Sequence, residues 1–133
     1  MQPIRNSRLP AFLCVLMLLV AAAIARPFAE IGMSDDWSYV LTSRVLARTG
    51  HLVYNGWATA MLGWQFYFGA LFVKLFGPSF TAVRASTFVL ALVTAFLTQR
   101  TLVRAGLNAT NSVLATIALF FSCLLYTSDA ADE

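Results

Sequence analysis

The sequence predicts an all-α polytopic membrane protein, with about four transmembrane helices plus an extracytoplasmic juxtamembrane helix. Three observations carry this prediction. Of 133 residues, 59% are hydrophobic and 11% charged, with mean hydropathy +0.74, whereas a soluble domain has roughly 25% charged residues. The apolar residues gather into runs close to the length of about 20 that a helix needs to cross the hydrocarbon core. Between the first two runs lies a polar stretch, residues 26–57, with helix start and stop signals inside it. The net charge of +3 is scattered as single basic residues with no aromatic-basic patch, which argues against a nucleic-acid partner. Two cysteines, Cys14 and Cys123, offer neither a disulfide framework nor metal-ligand spacing.

Residues 1–8 are read as a short cytoplasmic N-terminus, held inside by Arg5 and Arg8 under the positive-inside rule. Residues 9–25 then form transmembrane helix 1. Ala23-Ile24-Ala25 also matches a signal-peptide cleavage pattern, but the apolar runs that follow favour a retained helix. The chain emerges outside at Arg26, and Pro27 bends the exit because it lacks an N–H and clashes with the preceding turn.

Residues 26–57 form the extracytoplasmic loop, with a juxtamembrane helix over 35–49. Ser34 is a suitable N-cap, Asp35 and Asp36 then meet the positive end of the helix dipole, and Gly50 supplies the left-handed C′ residue. At 100° per residue Trp37, Val40, Leu41 and Val45 share a side, and Arg44 and Arg48 fall within that stripe. A helix floating on lipid would put its arginines opposite. These two either snorkel to head groups or bind a phosphate. His51, the only histidine, receives no role, and Asn55-Gly56 signals a turn.

Residues 58–76 are predicted as transmembrane helix 2, with aromatics near the start, Gln65 inside the membrane, and Lys74 able to snorkel at the far end. Gly77-Pro78-Ser79 makes a tight turn into transmembrane helix 3, residues 80–98, whose Arg84 is expected near the cytoplasmic head groups. Gly106 is the expected stop beyond Arg100 and Arg104. Asn108-Ala109-Thr110 matches a glycosylation sequon but is read as a helix cap. Residues 111–122 begin transmembrane helix 4. Residues 123–133 look like a translated sequencing adapter, so the chain is read as the N-terminal part of a longer protein, inactive by itself. One conflict remains in this topology: Arg100 and Arg104 fall outside with Arg26, Arg44 and Arg48, so positive charge does not favour the inside.

The chemistry-bearing residues are an acidic pair at a helix start, an arginine pair on the same helix and an aromatic-rich apolar run. A carboxylate at a membrane surface can take the proton from an acceptor hydroxyl as it attacks an anomeric carbon. A sugar carried on polyprenyl phosphate already has an anionic leaving group, which needs positive charge rather than a second carboxyl acid. Asp35 and Asp36 could also hold Mg²⁺ or Mn²⁺, but two oxygen ligands do not make a site. No tightly bound metal is expected, and a catalytic need for a divalent ion stays open.

The runs Asp35-Asp36-Trp37-Ser38-Tyr39, Thr49-Gly50-His51-Leu52-Val53-Tyr54-Asn55-Gly56-Trp57, Lys74-Leu75-Phe76-Gly77 and Arg84-Ala85-Ser86-Thr87 resemble bacterial membrane glycosyltransferases of family thirty-nine. These belong to the GT-C superfamily, with the protein O-mannosyltransferases and the lipid A aminoarabinose transferase. The resemblance implies a multi-pass enzyme of the bacterial inner membrane. It would move a sugar, with inversion, from a polyprenyl-phosphate donor to a protein, lipid or glycan acceptor on the outer face. By position it implies Asp36 as catalytic acid residue, or Asp35 beside it, and Arg44 and Arg48 are read as contacts for the lipid phosphate. Residues 58–62, Ala-Thr-Ala-Met-Leu, depart from the proline-rich entry found in many members. The alternative is a non-enzymatic multi-span subunit or transporter piece, in which the acids merely cap a helix.

Overall fold

The computed structural model describes residues 8–26, 28–32, 36–57 and 63–129, with side chains as far as residue 120. Among the described residues the chain is all-helical, with five helices and no strand: α1 (Leu9–Ala25), α2 (Asp36–Thr49), α3 (Gly63–Phe76), α4 (Phe80–Arg104) and α5 (Ala109–Asp129). The expected Pro27 bend, the Ser34 cap, Asp35 and the entry at 58–62 lie outside the described residues. By length and composition only α4, at 25 residues and about 37 Å, is long and apolar enough to cross a membrane; α1 is a shorter apolar helix. Four spans are therefore more than these helices show.

Helix ends follow the local chemistry closely. Gly50 and Gly77, at φ 73° and 90°, each donate an N–H to the carbonyl four residues back, Leu46 at 2.9 Å and Val73 at 3.0 Å. This left-handed C-cap suits glycine because no Cβ meets the following carbonyl. α4 ends in a Schellman motif: Gly106 N–H reaches Val103 O at 3.1 Å, and Leu107 N–H reaches Leu102 O at 3.1 Å. Asn108 caps α5 through its side-chain oxygen, which accepts from Asn111 N–H at 2.8 Å.

The chain divides into two compact units, residues 25–90 and residues 1–24 with 91–133. In the first, α2 and α3 pack face to face. Val40, Val73 and Val83 form one buried cluster, and Leu46, Phe66 and Ala70 another. The helices approach closely because small residues line the seam: a Cβ added at Gly69 would stand 2.7 Å from Ser43 Oγ. In the second unit, Phe12 packs edge-on against Phe96 at 5.5 Å. There Gln99, buried, donates to Ser112 Oγ at 3.0 Å, while Thr116 Oγ1 donates to Ser112 O at 2.8 Å.

The buried side of α2 differs from the expected stripe. Ser38, Val40, Thr42, Ser43 and Leu46 are buried, whereas Trp37 and Leu41 are exposed. Small hydroxylated residues won the interface because they let backbones approach, which bulky side chains would prevent. Trp37, Leu41 and Arg48 are thus left on the open side, with Arg44 half-buried.

A second difference concerns sidedness. The hydropathy pattern puts residues 28–32 and the first turn of α4 on opposite membrane faces, yet they are hydrogen-bonded together. Glu30 Oε2 accepts from Phe80 N–H and Oε1 from Thr81 N–H, both at 3.0 Å. Ser79 Oγ accepts from Ala82 N–H at 2.9 Å, so three of the otherwise unpaired first-turn donors are satisfied.

Candidate active site

Asp36 opens α2, and its position is fixed from the start of α4. Arg84 lies one turn into that helix and directs its guanidinium back at the loop. Nε donates to Asp36 Oδ2 at 3.1 Å, and Nη2 donates to the same oxygen. Nη2 also reaches Ile31 O at 2.6 Å, and Nη1 reaches Ala29 O. One arginine therefore ties together the loop backbone, the N-terminus of α2 and α4. The Phe80 ring lies under the guanidinium carbon at 5.8 Å, within cation–π range.

This arrangement leaves the two carboxylate oxygens of Asp36 unequal. Oδ2 is occupied by Arg84, while Oδ1 has no hydrogen bond among the described residues. The Asp36 side chain is 37% exposed and that of Arg84 16%. A carboxylate held by one oxygen and open at the other has a fixed orientation and a free lone pair, the geometry a general base needs.

The surroundings are aromatic and braced. Trp37 and Trp57 lie 5.2 Å apart, centroid to centroid, and both are exposed. The loop that carries Trp57 is fastened to α2 by Asn55, whose Oδ1 accepts from Ser38 Oγ at 2.8 Å and from Trp57 N–H at 3.1 Å. Asn55 Nδ2 donates in turn to Ser38 O at 3.3 Å. Gly32 fits under Phe80, where an added Cβ would meet two ring carbons at 3.0 Å.

Glu30 is the other carboxylate at this end. The Thr81 side chain, the Thr81 backbone amide and the Phe80 amide hold it below the usual carboxylate range. Its role is to dock the loop on the dipole of α4, since both its oxygens are engaged by amides.

Asp36 thus stands where the sequence put it, and Asp35 lies outside the described residues. The two arginines assigned to the lipid phosphate are not gathered beside the acid. Arg44 and Arg48 are eight and twelve residues further along α2, about 12 and 18 Å along its axis, with no hydrogen bond or ion pair among the described residues. The residue that sequence reasoning missed is Arg84, 48 positions away in the chain. Its signal was a charge one turn inside an apolar helix, which demands a partner. Among the described residues no three His, Cys, Asp or Glu side chains gather as metal ligands. Comparison with protein-family models, curated proteins and solved structures finds no match to this chain.

Proposed function

We propose that this chain is part of an integral membrane glycosyltransferase that moves a sugar from a polyprenyl-phosphate donor to an acceptor hydroxyl at the outer face of a bacterial inner membrane. The observation that carries the reading is Asp36, anchored through Oδ2 by Arg84 and open at Oδ1. In the reaction, Oδ1 takes the proton of the acceptor hydroxyl. The hydroxyl oxygen bonds to the anomeric carbon as the bond from that carbon to the phosphate oxygen breaks. The electron pair leaves with the polyprenyl phosphate, and the configuration inverts. No cofactor enters this scheme.

The phosphate needs positive charge near the reacting carbon. Arg84 is the cation nearest Asp36 among the described residues, and Arg44 and Arg48 extend basic character along α2. The exposed Trp37 and Trp57 rings beside Asp36 suit the head-group level, where an isoprenoid-linked sugar meets water. In this reading α1, α4 and α5 cross the bilayer and the N-terminus is cytoplasmic.

The experiment is transfer of labelled sugar from a polyprenyl-phosphate donor in membranes carrying the protein expressed from its complete gene. Asp36→Asn is expected to lower transfer at least 100-fold at normal membrane abundance, the usual scale for loss of a general base. Unchanged transfer would sink the assignment. The second reading, a non-enzymatic membrane subunit, draws on the same ion pair, because Asp36 bound to Arg84 also serves simply to join α2 to α4. It predicts that Asp36→Asn lowers abundance or thermal stability and affects no transfer.

A further inference from the structure

We infer that α3 does not cross the bilayer but lies along its outer surface, with the ridge Trp64, Tyr67, Leu71 and Leu75 immersed in lipid. This rests on the membrane reading above and not on the transferase chemistry. Glu30 and Phe80 are hydrogen-bonded at 3.0 Å and so occupy one face of any membrane. A chain that leaves a face and returns to it makes an even number of crossings between. α2 carries Asp36, Arg44 and Arg48 within 14 residues, too many charges for a span. The loop after it is fastened to α2 through Asn55 and Ser38. A crossing by α3 would be unpaired, so α3 does not cross.

The two sides of α3 differ in what covers them. Phe66, Gly69, Ala70 and Val73 are buried in the first unit. On the opposite side Trp64, Tyr67, Leu71 and Leu75 recur at i, i+3, i+7 and i+11, and all are exposed, by 57%, 58%, 47% and 65%. An exposed apolar ridge of this size marks an interface. Lipid is the occupant because three residues after α3 the chain enters α4, the helix with the length and hydropathy to cross. The end of α3 is therefore within about 14 Å of a membrane entry point. Trp64 and Tyr67 have the amphipathic rings found at head-group level, and Lys74 flanks the ridge where an ammonium meets lipid phosphate.

Two measurements test this. In a background with Cys14→Ala and Cys123→Ala, single cysteines at Lys74→Cys, His51→Cys and Arg104→Cys are exposed to a membrane-impermeant maleimide. Lys74→Cys is expected to label from the same face as His51→Cys and from the face opposite Arg104→Cys. Labelling of Lys74→Cys from the face opposite His51→Cys, with Arg104→Cys on the face of His51→Cys, would mean that α3 crosses and would overturn the inference. In a second variant, Trp37→Phe with Trp57→Phe leaves Trp64 as the sole tryptophan, in vesicles of lipids brominated at defined depths. Bromines near the head-group end of the acyl chain are expected to quench Trp64 most strongly. Strongest quenching by bromines near the chain terminus, or no quenching by any, also overturns the inference, the latter meaning that protein or a second copy covers the ridge. Loss of the transferase assignment with this labelling intact would leave α3 on the surface.

Discussion

Arg84 and Glu30 show how two side chains can hold a loop that has no regular structure of its own. Arg84 supplies charge-assisted bonds to Asp36 and to two carbonyls, and each such bond contributes about 1.5–3 kcal/mol when its geometry is good. Arg84→Met is expected to destabilise the protein by about 3 kcal/mol, read from thermal unfolding in detergent. Arg84→Lys should recover less than half of that, because an ammonium cannot span the carboxylate and both carbonyls from one plane. Glu30 adds a pH dependence. Its carboxyl is held below the ordinary range by Thr81 and Phe80, so its docking contribution is complete above the unfolded value of about 4.3 and is lost as pH falls through the lower folded value. The amide shifts of Phe80 and Thr81 should titrate with a midpoint below that of an ordinary glutamate, and Glu30→Gln should abolish that titration. At this scale the sequence was legible where chemistry is local. Asp36, Gly50, Gly106 and Asn108 do what their neighbours imply. The partnership of Asp36 with Arg84 was not, since nothing in either local sequence encodes a contact across 48 positions.

For the helices themselves, hydropathy was a poorer guide than side-chain size. The face of α2 that packs is the one with Ser38, Thr42 and Ser43, which a pattern of large apolar residues ranks as the polar side. Gly69 makes the close approach possible, and Gly69→Ala would drive a methyl group into Ser43. The expected cost is about 1–3 kcal/mol, the usual range for overpacking, and adding Ser43→Ala should recover part of it. The positive coupling in that double-mutant cycle is the check. Gln99 and Ser112 make the converse case, because Gln99 Oε1 is buried without a partner while Nε2 is bonded. Ser112→Ala is expected to cost about 0.6–1.7 kcal/mol, the range for hydrogen bonds between membrane helices. Gln99→Met should be close to neutral, because it removes the unpaired oxygen along with the bond.

Across the whole molecule, the all-helical class was legible in the sequence, but of the apolar runs only α4 is long and apolar enough to cross a membrane. A hydropathy window treats each apolar run separately and cannot register that residues 30 and 80 meet. If α4 crosses a membrane, as proposed, Arg100 and Arg104 at its far end lie on the face opposite Glu30 and Asp36. Arg84, near the start of α4, is neutralised by Asp36. On the proposed surface placement of α3, the charge conflict in the sequence comes from counting residues 58–76 as a crossing. Fusing a reporter after Gly106 should reveal this directly: alkaline phosphatase is expected to be inactive there and active when fused after Gly56.

The ion pair also sets a timetable for synthesis. Asp36 leaves the ribosome 48 residues before the arginine that holds it, a gap of roughly 2–10 s at about 5–20 residues per second. During that interval the start of α2 has neither Arg84 nor the α4 amides that receive Glu30. The surroundings of Asp36 are therefore completed only when α4 has been made and has folded back, and a defect in placing that helix would show as a defect in the acid.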